Sequence, residues 1–220
     1  MKLKKVVSLC LQQGQVNLLN QVDKDGVVTQ WMGDGGAFYP LNGVPFLDEG
    51  TLCTVFDVPE KKQEKILIQC MDFPAGLDVA DYTAGDRGVE TLGVSIGYGG
   101  TTLLPMKIMG AGAGIVYIQK KYLAPLEDTA DVLQFCVRTD TTGRRYVAVH
   151  AGLLIAAIIF PYDLLNEDFV ATMSSIVDLT DRELEAKKRL GAYVEPREEP
   201  DQDQRTLFDG GGEGGEDGEA

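Results

Sequence analysis

VNLLNQVDKDGVVTQWMGDGGAFYPLNGVPFLDEGTLCTVFDV, residues 16–58, is the segment on which the fold prediction depends. An apolar run leads into a turn that ends at Gly26, and a second glycine follows nine residues later, at Gly35. Asp and Gly favour tight reversals, because Asp supplies a local hydrogen bond and Gly adopts a positive φ. Pro45 follows ten residues after Gly35. The acidic pair Asp48 and Glu49 then opens an apolar-periodic segment that closes with FDV. The segment predicts three strands followed by a helix.

A second segment, residues 132–179, parallels the first one. It has a turn that ends at Gly143, a second glycine at Gly152, a proline at Pro161 and a closing VDL. Behind Asn166, an N-cap residue, apolar side chains recur at helical spacing. We interpret the two segments as pseudo-repeated β-β-β-α units, and because they share few identities, chance similarity is the alternative.

The rest of the chain completes the predicted architecture. A glycine-rich middle (65–123) begins with the strand KILIQC (65–70), and the apolar run AGLLIAAIIF (151–160) predicts a buried strand. Thr180 and Glu183 have the spacing of a capping box and predict a further helix. The predicted fold is α+β with a mainly antiparallel sheet in a body of residues 1–193. Residues 194–220, rich in Pro, Glu, Asp, Gln and Gly, predict a disordered acidic tail.

Charge and cysteine content narrow the classes of function. The net charge is −14 over 220 residues. Residues 195–220 hold ten acidic residues and two arginines, a net charge of −8, which leaves −6 for the first 194 residues. Lysines and arginines occur in short scattered groups, which disfavours direct nucleic-acid binding. Four cysteines without CxxC spacing predict reduced, buried thiols and a cytoplasmic protein. No apolar run has the length of a membrane span.

Several residues invite a catalytic or ligand-binding interpretation. GAGAG (110–114) precedes a strand pattern, so we expect a bend in a sheet and no phosphate site. His150, the single histidine, has no nucleophile motif beside it, so we expect it to pack or to lie at the surface. We expect Trp31 in the core and leave Tyr39 open. The predicted site has no catalytic residue, no metal and no cofactor.

The segment 71–90 is a predicted loop with a dense group of acidic residues. They are Asp72, Asp78, Asp81, Asp86 and Glu90. Such a group could hold Mg²⁺ or Ca²⁺, or supply a carboxylate pair for acid–base chemistry, but the spacing differs from that of an EF-hand. A solvated acidic loop is the prediction.

One apolar pair stands in the acidic tail. Gln204, Leu207 and Phe208 give Q-x-x-L-F in QRTLF. This segment resembles the peptide, commonly Gln-Leu-(Ser or Asp)-Leu-Phe, with which bacterial polymerases and repair proteins bind the DNA sliding clamp. Arg205 stands where leucine is usual, and Thr206 replaces Ser or Asp. The resemblance implies that Leu207 and Phe208 fill an apolar pocket and that Gln204 forms hydrogen bonds beside it. The alternative is a solubilising tail with an incidental apolar pair.

A second resemblance concerns origin. TQWMGDGGAFYPLNGVP (29–45) is similar to uncharacterised proteins of phages and integrative elements of Gram-positive bacteria. The function that we expect is therefore that of a non-catalytic accessory protein of such an element, which recruits a protein partner, specifically the host sliding clamp, through its tail. Two alternatives stay open: a structural protein that assembles as a homo-oligomer, and an acidic inhibitor that mimics DNA.

Overall fold

The computed structural model describes residues 1–22, 25–110, 112 and 114–191. The chain divides into two compact units, one of residues 1–164 and one that begins at Leu165. The predicted end of the body at residue 193 and the tail that follows lie outside the described residues. Within these residues, no helix has the length and apolarity needed to cross a membrane.

In the part that the structure describes, the first unit contains three α-helices, a 3₁₀ segment and eleven strands. The helices are α1 (Leu3–Gln13), α2 (Glu49–Val55) and α3 (Glu60–Gln63), and the 3₁₀ segment is Lys120–Val132. The strands are β1 (Gln15–Val22), β2 (Val28–Gly33), β3 (Ala37–Pro40), β4 (Leu67–Asp72), β5 (Arg87–Thr91), β6 (Ile96–Tyr98), β7 (Thr101–Ile108), β8 (Gly114–Gln119), β9 (Leu133–Thr139), β10 (Arg145–Ala151) and β11 (Leu154–Ile159). The second unit contains α4 (Glu167–Arg189).

The strands form one mainly antiparallel sheet, so the predicted α+β class is confirmed. The order is β4-β1-β2-β3-β11-β10-β9-β5-β7-β6, and β8 pairs with β7. Among the strand pairs of the described residues, only β1 and β4 run parallel to each other. The strands β1, β2 and β3 form one antiparallel meander and β9, β10 and β11 another, and they meet where β3 pairs with β11.

Each predicted repeat contains three strands followed by a helix, in the expected order. The helices differ, however, because α2 has 7 residues whereas α4 has 23 and belongs to the second unit. The pseudo-repeat relation between the two segments is not confirmed and stays a prediction.

Successive residues of the central strands enter two separate apolar clusters. Leu18 and Met32 belong to the larger cluster, with α1 and the 3₁₀ segment. Leu19 and Trp31 belong to the smaller one, with Tyr146. Because successive side chains of a strand point to opposite faces, the two clusters lie on the two faces of the sheet. Trp31 is thus in the core, as predicted.

Three local predictions need correction. The run 151–160 is not one strand, because Gly152 has a φ of 64° and forms, with the exposed Leu153, the turn between β10 and β11. Thr180 does not cap a new helix, since its hydroxyl donates to the carbonyl of Ile176 and α4 continues through it. Cys70 is not buried but exposed.

Candidate functional site

The acidic segment covers the second face of the sheet and is not a solvated loop along its whole length. Phe73, Leu77 and Val79 pack in the smaller apolar cluster. The Phe73 ring lies 5.6 Å from that of Trp31, between ring centroids. We call residues 73–86 the cover loop, since its apolar side chains shield the face that carries Trp31 and Tyr146.

Arg138 holds the cover loop from β9. Its guanidinium donates from Nε and Nη2 to the two carboxylate oxygens of Asp86, at 2.6 and 2.8 Å. Nη1 donates to the carbonyls of Asp78 and Ala80, at 3.0 and 2.8 Å. The side chain of Arg138 is 3% exposed and that of Asp86 13%. A planar guanidinium can form two parallel hydrogen bonds to one carboxylate, as Arg138 does to Asp86. The negative charge of Asp86 compensates the burial of the positive charge of Arg138. These contacts lower the pKa of Asp86 below its usual value, mainly through the hydrogen bond to Arg138.

Two further contacts fix the same loop. The hydroxyl of Tyr146 accepts from the amide of Asp78 and donates to its carbonyl, both at 2.9 Å. The carboxylate of Asp81 accepts from the amide of Ile155 at 2.8 Å. The carboxylates of Asp81 and Asp86 and the backbone of Asp78 therefore fasten the cover loop to the strands. The metal hypothesis gains no support, since the described residues contain no group of three or more suitable ligands.

His150 lies beside this anchor and is buried, which agrees with the packing prediction. It is 7% exposed, and its Nε2 atom has no hydrogen-bond partner in the described part of the chain. Burial, together with the charge of Arg138, lowers its pKa. The imidazole is therefore neutral at pH 7. A buried neutral ring next to this ion pair fits the packing interpretation.

The GDGG turn between β2 and β3 contains a second buried carboxylate. The side chain of Asp34 is 2% exposed and accepts from the amides of Gly36 and Ala37, at 2.9 and 3.2 Å. It also accepts from the hydroxyl of Tyr122, at 3.2 Å. Tyr39, which the sequence left open, is buried and donates to the carbonyl of Tyr122 at 2.6 Å. Asp34 thus joins the turn to the 3₁₀ segment.

A cavity adjoins that segment. Its volume is about 630 Å³, and Leu123, Leu126 and Phe135 line it together with Thr101 and Lys120. A mainly apolar cavity of this size with few polar groups suits a small ligand or an apolar side chain. A smaller cavity of about 260 Å³ adjoins the cover loop. Arg138 lines this smaller cavity, but its guanidinium already donates hydrogen bonds to the carboxylate of Asp86.

The glycine-rich stretches lie in turns between antiparallel strands. Gly99 and Gly100 have positive φ and connect β6 to β7. In GAGAG, Gly110 and Gly112 have positive φ and lie between β7 and β8, and Gly114 begins β8. Because a strand and not a helix follows, the amides of a helix N-terminus are not available to a phosphate there. The strand predicted after GAGAG is confirmed, whereas Gly110 and Gly112 lie in a turn between strands and not at a bend or bulge within a sheet.

The sequence prediction did not single out Arg138 or Asp34. The one signal for Arg138 is a charged residue in an apolar strand, LQFCVRT, and a charge that is buried there needs a partner. The residues that were singled out for partner binding, Gln204, Leu207 and Phe208, lie outside the described residues.

The four thiols differ in environment, which leads to a labelling prediction. Burial, together with the Asp34 carboxylate, raises the pKa of Cys10 to about 12, whereas Cys70 on β4 is exposed. At pH 8 we expect iodoacetamide to modify Cys10 at least about 100-fold more slowly than Cys70, because the thiolate is the reactive form. Timed labelling and peptide mass spectrometry measure both rates. Unfolding in urea should bring them together, and equal rates in the folded protein would contradict the prediction.

Comparisons with protein-family models, with curated proteins and with solved structures each found no match.

Proposed function

We propose that this chain is a non-catalytic accessory protein that recruits a protein partner through its C-terminal segment. The observation that carries the proposal is the use of the body's polar side chains. Arg138, Asp86 and Tyr146 fasten the cover loop, and Asp34 fastens a turn. Side chains that carry chemistry in many enzymes are committed here to holding loops.

The tail supplies the recruiting element in this proposal. Leu207 and Phe208 are an apolar pair in a segment of ten acidic residues and two arginines. An apolar pair that is flanked by charged residues suits a partner with a preformed apolar pocket. With Gln204, it has the features of the sliding-clamp peptide, and a bacterial DNA sliding clamp is the partner that we propose. A phage or mobile-element origin is part of the same proposal.

The test is binding of the full chain to a purified bacterial sliding clamp. We expect micromolar affinity, and we expect the double substitution Leu207→Ala, Phe208→Ala to weaken it by at least about tenfold, since apolar anchors contribute most of the energy of such contacts. Isothermal titration measures both dissociation constants.

The matched control is Thr206→Ala, at the position where the clamp peptide is tolerant. It should bind like the parent chain. Absence of binding by the parent chain, or equal binding by the double variant, would rule out the clamp proposal.

A second candidate function is assembly, which the apolar side chains exposed on α4 favour. Val170, Ile176, Val177 and Leu179 are each at least 50% exposed. A mass in solution well above 23.9 kDa would support self-association. The DNA-mimic alternative is less favoured, because the first 194 residues carry only −6 of the net charge of −14.

A further inference from the structure

The cavity beside the 3₁₀ segment has a polar end, which the pairing of β7 with β8 defines. Leu103 of β7 pairs with Gln119 of β8. The cavity residues Thr101 and Lys120 stand just before and just after this pair, so they lie at the same end of the two strands. The hydroxyl of Thr101 donates to the side-chain oxygen of Gln119, at 3.4 Å. A hydroxyl and an ammonium group therefore mark this end of the cavity.

The rest of the lining is mainly apolar and follows the 3₁₀ segment away from Lys120. Leu123 and Leu126 come three and six residues after Lys120, a spacing that places all three on one face of a 3₁₀ helix. Leu133 and Phe135 continue the lining on β9, directly after the segment ends. The cavity is therefore amphipathic, with its charge at one end and its alkyl and aromatic side chains beyond it.

The charges around the cavity do not cancel. Glu127 also lines it, but the Glu127 carboxylate forms an ion pair with Lys5 of α1. The ammonium of Lys121 lies 4.0 Å from the buried carboxylate of Asp34. Lys120, in contrast, forms no ion pair within the described residues. One positive charge is thus left at the polar end, and a ligand with one negative charge would complement it.

We propose that this cavity binds one small anionic amphiphile, an alkyl chain with a terminal carboxylate, whose charged group contacts Lys120. A volume of about 630 Å³ is in the range of small-molecule sites. The alkyl chain would leave water for a surface formed by Leu126, Leu133 and Phe135, and this burial supplies most of the affinity. The inference goes beyond recruitment of a partner by the tail and does not depend on it.

The test is isothermal titration of the full chain with three ligands that share one alkyl chain, each below its micelle concentration. They are dodecanoate, dodecanol and dodecyltrimethylammonium, which are negative, neutral and positive. We expect dodecanoate to bind one to one with micromolar affinity. The neutral and the positive ligand should bind at least about tenfold more weakly, because only the carboxylate complements Lys120.

A charge reversal tests the polar end. Lys120→Glu should weaken dodecanoate binding by at least about tenfold and should strengthen the binding of dodecyltrimethylammonium. The matched control is Lys62→Glu, which makes the same change of charge at an exposed lysine of α3 and should alter neither affinity. The gain of the positive ligand is the decisive arm, because a variant that merely folds poorly cannot bind that ligand more tightly.

A second pair of variants tests the apolar part. Ala130 lines the cavity, so Ala130→Phe should fill it and abolish dodecanoate binding. Val132 belongs to the same 3₁₀ segment, is 53% exposed and is not part of the lining. Val132→Phe should therefore bind dodecanoate like the parent chain. Circular dichroism checks that both variants keep the fold.

Three results would overturn the inference. Absence of saturable one-to-one binding of dodecanoate would exclude the site. Equal affinities for the three ligands, or equal binding by the parent chain and Ala130→Phe, would exclude recognition of the charge or of the chain in this cavity. Sedimentation with phosphatidylglycerol vesicles that Lys120→Glu abolishes would assign Lys120 to a membrane surface and not to a free ligand.

Discussion

Replacing Arg138 by methionine is expected to lower the free energy of unfolding of the first unit by roughly 3–5 kcal/mol, the range typical of removing one partner of a buried ion pair. The substitution leaves the carboxylate of Asp86 without its counter-charge. It also removes the guanidinium donor from the carbonyls of Ala80 and Asp78, of which the Asp78 carbonyl keeps the hydroxyl of Tyr146. Urea unfolding followed by fluorescence measures the loss. Trp31 is the only tryptophan and contacts Phe73 of the cover loop, so its emission reports this unit.

The matched control for this prediction is Arg145→Met. Arg145 is exposed on β10, so the same change of side chain should alter stability by less than about 1 kcal/mol. Similar losses from the two substitutions would show that Arg138 does not anchor the cover loop as described.

The ion pair between Arg138 and Asp86 also predicts how the free energy of unfolding depends on pH under acid conditions. Because Arg138 lowers the pKa of Asp86 in the folded protein, the stability that the pair contributes is present above the unfolded pKa of about 3.9. It is lost as the pH falls through the lower pKa of the folded state. The methionine variant lacks this contribution and should lose less stability between pH 5 and pH 2, taken as approximate limits.

Gly33→Ala is expected to lower the free energy of unfolding by at least about 3 kcal/mol, because a side chain at this position overlaps the backbone. A Cβ atom on Gly33 would lie 1.8 Å from the carbonyl oxygen of Ala37 and 2.8 Å from its carbonyl carbon. Gly33 pairs with Phe38 across the tight turn between β2 and β3, so relief of the overlap requires the turn to move. The same unfolding experiment measures the effect.

Gly88→Ala serves as the comparison for Gly33. Gly88 lies on β5, has no positive φ, and a Cβ atom there would meet nothing within 4 Å. Alanine should therefore be tolerated to within about 1 kcal/mol. If the two substitutions had equal effects, the loss would come from strand glycines in general and not from the close approach at Gly33.

The local elements of the fold could be predicted from sequence because their causes are local. A turn that ends at Gly26 or Gly143, with its positive φ, reverses the chain whatever lies around it. Asn166 caps α4 by accepting from the amide of Phe169, as its position before an apolar periodic segment predicts. α1 was missed, although Val6, Val7 and Cys10 have helical spacing and Gly14 ends it with a φ of 71°.

The anchor of the cover loop could not be predicted, because its parts are distant in the sequence. Arg138 and Asp86 are 52 residues apart, and Tyr146 and Asp78 are 68 apart. Nothing near Asp86 marks it as a buried partner, since its neighbours form an acidic, glycine-containing segment typical of a solvated loop. The assignment requires the sheet, which brings β9 and β10 beneath that segment.

The pairing of β3 with β11 has a consequence for synthesis on the ribosome. Phe38 pairs with Ile158, which lies 120 residues later (158 − 38), so β3 has no β11 to pair with until the second meander has emerged. At roughly 5–20 residues per second, that delay is about 6–24 s. During it, one edge of the first meander presents free amides and carbonyls of the kind that template wrong strand pairing. The nascent chain should therefore depend on chaperones more than the finished protein does. The pairing of β3 with β11, which joins the two meanders, should be the slow step of folding.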